Sequence, residues 1–378
     1  MQIKNKLKDG KLFSLFVALF VGISVLPAGC NQQMTSSKRD TSSPRWTAEQ
    51  ANRWYSKQGW IVGCNFTPST AINQIEMWQE QDFDPETIDT ELGWAEDLGF
   101  NSIRVYLHYL VWARNPTKMK ERMDEFLDIA DSHDISVMFV LFDDCWNPDP
   151  TLGKQPDPKP GIHNSGWVQC PGGEIQNQDK ALYPVLKAYT QDLLTSLDRD
   201  DRILAWDLYN EPGNNEYFNK SLPLLKKVFE WAREANPSQP ITVGLWSWDE
   251  EFPQLNKVTI ENSDIITFHH YGNVEHLKKK VKEFQSYKRP LMCTEYMART
   301  RDCTFESHMP VFKKENIGCY NWGLVSGKTQ TIFQWDTPGK LPEPDVWFHD
   351  IFRRDGTPFD PEEIKFIKRL TLKCKEKS

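Results

Sequence analysis

Glu211 and Glu295 are the two residues whose placement most directly implies chemistry. Each follows a short apolar, strand-like run, Ile203 to Tyr209 and Pro290 to Thr294. In a parallel barrel, polar groups just past a strand's C-terminal end collect around the mouth. Two carboxyls facing each other there have a defined use. One protonates a departing oxygen while the other attacks the anomeric carbon or activates water, which is glycosidic cleavage. Other residues at run ends join them: Arg104, Asp143 and Asp144, Trp146, Asn210, Trp246 with Trp248, His269 with Tyr271, and Trp322. Several have plainer uses. Glu211 would also cap a following helix, Arg104 would also neutralise a buried acid, and Tyr271 would also pack. Asp143 and Asp144 suit substrate binding and loop capping equally. Only one of Trp246 and Trp248 is expected to line a cleft, and strand alternation turns His270 away from His269. No His-Glu-x-x-His helix or clustered ligand set occurs, so neither metal nor cofactor is expected.

Eight apolar runs supply the elements to carry these groups. They are Trp60 to Asn65, Ser102 to Leu107, Ile135 to Phe142, Ile203 to Tyr209, Pro240 to Trp246, Ile265 to His269, Pro290 to Thr294 and Ile317 to Trp322. Amphipathic stretches or long loops separate them. Asp84-Pro85 predicts a helix start, with an N-cap and a first-turn proline, and Gly99 predicts its end. Near-continuously apolar strands imply a parallel sheet buried on both faces. Eight of them close a (β/α)8 TIM barrel, an α/β fold with a single catalytic domain over residues 47–378. A doubly wound open sheet is the rival, but no glycine-rich phosphate loop follows the first run. The longest insertion, Asp143 to Lys180, follows the third run and so belongs to the mouth.

Trp206-Asp207-Leu208-Tyr209-Asn210-Glu211-Pro212 resembles the strand-four signature of the glycoside hydrolase clan that contains the family 5 cellulases. Leu291-Met292-Cys293-Thr294-Glu295-Tyr296 resembles its strand-seven nucleophile segment. Ile103-Arg104-Val105, His269-His270-Tyr271 and Asn321-Trp322 resemble the clan's strand-two, strand-six and strand-eight positions. The likeness spans roughly residues 55–330. It implies that Glu211 is the acid/base and Glu295 the nucleophile of a retaining hydrolase acting on β-type O-glycosidic bonds. It further implies that Asn210 holds the sugar 2-hydroxyl, His269 binds substrate, Tyr271 and Arg104 support the nucleophile, and Trp322 lies beneath the sugar at the cleavage site. The chain departs from the family after strand three, where Asp143-Asp144-Cys145-Trp146 stands in place of the usual histidine. Burial is expected to raise the Glu211 pKa and Arg104 to lower that of Glu295. Two rivals keep the same barrel: a non-catalytic sugar-binding lipoprotein, and a transglycosylase that excludes water.

The N-terminus reads as an export signal. Lys4, Lys6, Lys8 and Lys11 precede an apolar run from Leu12 to Leu26, too short for a comfortable membrane span. Leu26-Pro27-Ala28-Gly29-Cys30 resembles the lipobox of bacterial lipoproteins, with Pro27 where an apolar residue is usual. Residues 1–29 are thus expected to be a signal peptide and Cys30 the lipidated residue. Residues 30–46 form a flexible tether, Ser/Thr-rich from Asn31 to Pro44. This implies a bacterial envelope location, periplasmic or surface, or else simple secretion. The net charge of −8 argues against nucleic-acid partners. The expected partners are an oligo- or polysaccharide and a membrane reached through lipid, with a monomeric protein. The 15 tryptophans among 378 residues suit either core packing or stacking on sugar faces. Of the eight cysteines, Cys64, Cys293 and Cys319 lie in apolar runs and read as buried thiols. Cys145 and Cys170 flank one loop that an exported protein could bridge.

Overall fold

The computed structural model describes residues 44–174, 178–248, 251–340 and 342–372. Nine parallel strands form one sheet: β1 Val62–Asn65, β2 Ser102–Tyr106, β3 Ser136–Asp143, β4 Ile203–Asn210, β5 Ile241–Thr242, β6 Gly244–Leu245, β7 Ile266–His269, β8 Leu291–Tyr296 and β9 Gly318–Trp322. Their order is β5-β4-β3-β2-β1-β9-β8-β7-β6. The two ends of that order, β5 and β6, are consecutive pieces of one stave separated only by Val243. Nine segments therefore make the eight staves that the apolar runs predict, and the sheet closes into a (β/α)8 barrel. At the break, side chains supplement a single backbone bond, Asp264 N–H to Ile241 O at 2.9 Å. Val243 N–H donates to Ser263 Oγ at 3.2 Å, Ile241 N–H donates to Asp264 Oδ2 at 2.9 Å, and Thr242 Oγ1 bonds Ile265 O at 3.0 Å.

Alternation on β2 shows how the barrel positions its chemistry. Ile103 and Val105 are fully buried in the apolar layer between strands and helices. Ser102, Arg104 and Tyr106 point into the barrel, where they reach Tyr320, Asp207 and Glu295 on other staves. The outward face of each stave is thus apolar, and burying one such Ile or Val contributes about 1.5–3 kcal/mol. The interior is graded. Met138, Ala205, Met292 and Tyr320 plug the floor, while Tyr106, Val140 and Trp167 pack near the mouth with Trp146 and Trp322 against them. β1 and β2 approach so closely that a Cβ on Gly63 would lie 1.6 Å from Ser102 O, so only glycine fits there.

The helix of Pro85–Asp97 begins as expected, with Asp84 accepting from Thr87 N–H and proline in the first turn. It ends at Gly99, whose φ of +75° is a left-handed exit. Four further helices lacked a sequence expectation: Ala48–Tyr55, Gln74–Trp78, Tyr109–Arg114 and Pro253–Asn262. The signal peptide and Cys30 lie outside the described residues. The expected tether boundary at residue 46 falls too late. Arg45 Nε and Nη2 donate to Ser263 O and Ile260 O at 2.6 Å each, and Trp46 N–H donates to Asp264 Oδ1 at 2.8 Å. Among the described residues no helix is long and apolar enough to cross a membrane.

Candidate active site

The barrel mouth holds a pocket of about 560 Å3. Asn210, Glu211, His269 and Glu295 line its base, and Trp146, Trp167, Trp246, Trp248, Trp322 and Trp335 line its walls. Glu211 enters through a local distortion. β4 ends at Asn210, and Glu211 takes a φ of +45°, sparsely populated for a residue with a Cβ. Such strain concentrates where a side chain must be aimed. Glu295 is aimed by a register shift between Phe268 and His269, which sets His269 opposite Glu295 in the β7–β8 pairing.

The two carboxyls meet across one imidazole. His269 Nδ1 lies 2.7 Å from Glu211 Oε1 and 3.4 Å from Glu295 Oε2. One oxygen from each glutamate and a His269 nitrogen all lie within 4.8 Å of one another. Inverting enzymes need carboxyls about 6.5–9.5 Å apart to admit water, whereas double displacement uses about 5–5.5 Å. Burial holds His269 neutral, with its pKa lowered to about 4. Glu211 Oε2 accepts from Asn214 Nδ2 at 2.5 Å and from the Cys145 thiol at 3.2 Å. Glu295 Oε1 accepts from Arg104 Nη1 and Tyr106 OH at 3.0 Å each, and its Oε2 accepts from Tyr271 OH at 3.0 Å.

Burial pushes the Glu211 carboxyl upward in pKa, as the sequence suggests. The expectation for Glu295 needs correcting. Burial raises it too, and the Glu211 charge adds to the rise, against His269, Arg104 and Tyr106, which favour its ionised form. Complete enclosure outweighs the one fully buried guanidinium. Arg104 is also divided among several partners: Asp207 twice, Asn65, Tyr106, Glu295 and Asn210.

Most expected site residues converge, but not all in the expected way. Asn210, Trp146, Trp246, His269, Tyr271 and Trp322 line the pocket with the two glutamates. Arg104 is fully buried and reaches the cavity only through Glu295 and Asn210. Asp143 and Asp144, read as substrate ligands, are absent from the lining. Each is 1% exposed and occupied by protein donors. Asp143 accepts from Trp167 Nε1, Asn210 Nδ2 and Cys145 N–H. Asp144 accepts from Tyr209 OH, Ser221 Oγ and Gly213 N–H. They fix the Asn210 amide and the strained Glu211 turn, so they act on the floor from behind. Trp246 and Trp248 both line the pocket, against the expectation of one. Both stand just past the end of β6 at Leu245, and residues two apart are not separated by strand alternation in any case. Cys145 and Cys170 are free thiols, so the bridge the sequence permits is not formed. His270 turns from His269 toward His276, with Nε2 2.9 Å from His276 Nδ1.

Sequence reasoning missed Tyr106, Asn214, Arg301 and Trp335. Tyr106 had a signal, because it stands two residues beyond Arg104 and shares its face. Trp335 and Arg301 had none, since Trp335 comes from a loop well past β9 and Arg301 closes the short 3-10 helix Arg299–Arg301 beyond the end of β8. Arg301 lies over the Trp335 ring at 4.6 Å. Two groups of side chains among the described residues are compact enough to hold a metal. One is Glu211, His269 and Glu295 themselves. The other is His270, Cys303 and His308, but His308 is engaged at both nitrogens, by Ser307 Oγ at 2.7 Å and Gly272 O at 3.0 Å.

Comparison with known proteins agrees with this geometry. The model of the Cellulase (glycosyl hydrolase family 5) family matches residues 63–327. A variant of GH5_18 from Streptomyces cattleya, in complex with Manb1-4GlcNAc, superposes with a TM-score of 0.59 at 13% identity, covering 84% of this chain and 82% of its own. The exo-beta-1,4-mannosidase of Opitutaceae bacterium strain TAV5 gives 0.57 at 16% identity, covering 82% and 59%. The endo-1,4-beta-D-mannanase of Thermotoga petrophila RKU-1 gives 0.52 at 15% identity, covering 82% and 99%. No curated protein sequence matches. The family match takes in the staves from Gly63 onward and both glutamates: the chain belongs to glycosyl hydrolase family 5 and is a glycosidase acting on O-glycosyl compounds.

Proposed function

We propose that this glycosidase cleaves a β-linked sugar with net retention, with Glu295 as nucleophile and Glu211 as acid/base. The observation that carries the reading is the approach of the two carboxyls to within 4.8 Å around His269. Glu295 attacks the anomeric carbon as Glu211 gives its proton to the departing oxygen. Glu211 then takes a proton from water, which attacks the anomeric carbon and releases Glu295. Arg104, Tyr106 and Tyr271 stabilise the Glu295 carboxylate before attack and after release. Asn210, held by Asp143 and Arg104, lies beside Glu211 where the sugar would sit, and Trp322 supplies a flat face. The six tryptophans suit an apolar sugar surface better than a charged polymer.

β-Mannosides head the substrate panel because the similar structures named above carry mannose-related titles. β-Glucosides, β-xylosides and β-galactosides complete it. The deciding experiment pairs two variants on an activated aryl glycoside. Azide should restore turnover to Glu211→Ala and give a β-glycosyl azide. Glu295→Ala should be inactive by a factor of at least about 10^4. Unrescued Glu211→Ala, or near wild-type Glu295→Ala, refutes the assignment. Wild-type protein that binds sugars but releases no reducing ends would be the non-catalytic alternative, and glycosyl transfer dominating at high acceptor would be the transglycosylase. The proposal includes export and a lipid on Cys30, tested by acyl-chain labelling that Cys30→Ala should abolish.

A further inference from the structure

Cys145 stands two residues past β3, within the stretch where the resemblance leads one to expect a histidine. It is 9% exposed, unbridged and part of the pocket lining. Its Sγ lies 3.2 Å from Glu211 Oε2. Asn210 Nδ2 and Asn214 Nδ2 each donate to that sulfur at 3.4 Å. The two amides supply protons toward Sγ, so the thiol's own hydrogen is left to point at the carboxyl. Its backbone is pinned as well, by Cys145 N–H donating to Asp143 Oδ1 at 2.9 Å.

We propose that Cys145 is a positioning residue for the acid/base: its S–H holds Glu211 Oε2 as an acceptor, leaving Oε1, beside His269, to carry the proton that moves. An oxygen receiving both the thiol and the Asn214 amide has no room for the transferable proton. Oε1 faces the shared imidazole and Glu295, where a scissile oxygen would sit. The thiol stays protonated to do this. Burial and the charges of Asp143, Glu211 and Glu295 all raise it well above the ordinary thiol range. A thiol is a weak donor, so it trims the acid/base without locking it ionised. The device thus favours the ionised state that Glu211 must enter when it has given up its proton.

The proposal rests on Glu211 being the acid/base. Azide rescue of Glu211→Ala tests that reading separately, so the two failures are distinguishable. The ionisable groups facing this corner are Arg104 from β2, Asp143 from β3, Asp207 from β4, His269 and Tyr271 at β7, and Glu295 from β8. None is altered below. The measurement is the pH profile of kcat/KM for Cys145→Ala on a substrate with a poor leaving group. The S–H stabilises ionised Glu211, so its removal should raise the Glu211 pKa. The basic limb should move up by roughly half to one pH unit. Cys145→Ser, which restores a donor, should bring the limb back toward wild type. If the alanine variant does not fold, Cys145→Val fills the space without a donor and carries the same expectation. A basic limb that stays in place or moves down, with only kcat reduced, would make Cys145 mere packing and overturn the proposal.

Discussion

Replacing Tyr271 by phenylalanine isolates one contact to the proposed nucleophile. The hydroxyl donates to Glu295 Oε2 at 3.0 Å. The ring itself packs edge-on against Trp335 at 5.0 Å and beside His349 at 5.7 Å, and phenylalanine keeps both contacts. Packing should therefore survive, and Tm should fall only by the few degrees, roughly 3–6 °C, that one lost hydrogen bond implies. A hydrogen bond to a charged acceptor is worth about 1.5–3 kcal/mol. Here the whole of that supports the ionised form of Glu295, because a protonated carboxyl accepts less strongly. At 1.36 kcal/mol per unit, its loss should raise the Glu295 pKa by roughly one to two units. Attack requires the ionised form, so the acidic limb of kcat/KM should move to higher pH by that amount. Release of Glu295 as a leaving group in the second step should slow about 10–100-fold. The assay is a pH series on an aryl glycoside with a good leaving group, with pre-steady-state sampling for the glycosyl-enzyme burst. Accumulated intermediate and a shifted acidic limb are expected. A wild-type limb with no burst would show that the hydroxyl does not serve the nucleophile, and the argument for Glu295 would lose its main electrostatic support.

Other perturbations test the frame around the site. Glu91, 2% exposed, accepts from Ser69 N–H, and burial raises its pKa to about 7. The folded state therefore binds its proton more tightly than the unfolded chain. This one group should cost stability as pH rises from about 4.5 to 7, by on the order of 3 kcal/mol in total. Glu91→Gln should flatten that slope in urea titrations, and an unchanged slope would refute it. Asp143→Asn places an amide N–H against a donor, either Trp167 Nε1 or those of Asn210 and Cys145. It should cost about 1–3 kcal/mol of stability and lower kcat through Asn210, so an unaffected kcat would contradict the role given to Asp143. Gly63→Ala forces a Cβ onto Ser102 O and should yield no soluble barrel, whereas a soluble variant with native circular dichroism would disprove the close approach.

What the sequence made legible follows from periodicity and end position. Asp84-Pro85 and Gly99 marked a helix because capping is local chemistry. The eight runs showed because the outward face of each stave is apolar whatever lies inside. Glu211 and Glu295 showed because each ends such a run. What stayed hidden depends on contacts between distant residues. Asp143 and Asp144 look available in sequence, and only the Trp167 indole, the Tyr209 hydroxyl and Ser221, brought in by folding, occupy them. The joint role of Trp246 and Trp248 was missed although residues two apart share a strand face, so alternation gave no reason to separate them. Cys145 looked like half of a disulfide because nothing local shows its sulfur turned to Glu211. Helices such as Gln74–Trp78 and Tyr109–Arg114 are too short to display a period.

The interrupted fifth stave gives the ring one fastening of a different kind. Elsewhere peptide groups do most of the stitching, and only a proline substitution removes a peptide N–H. Between Ile241 and Leu245 one backbone hydrogen bond, Asp264 N–H to Ile241 O, is joined by a hydroxyl, a carboxylate and a second hydroxyl, each of these three replaceable by a single codon change. The same carboxylate, Asp264, also grips Arg233 and the backbone of Trp46. The barrel's girth is therefore heritably adjustable at this joint. The joint lies immediately before Trp246 and Trp248, so selection could widen or narrow the pocket there without touching either glutamate.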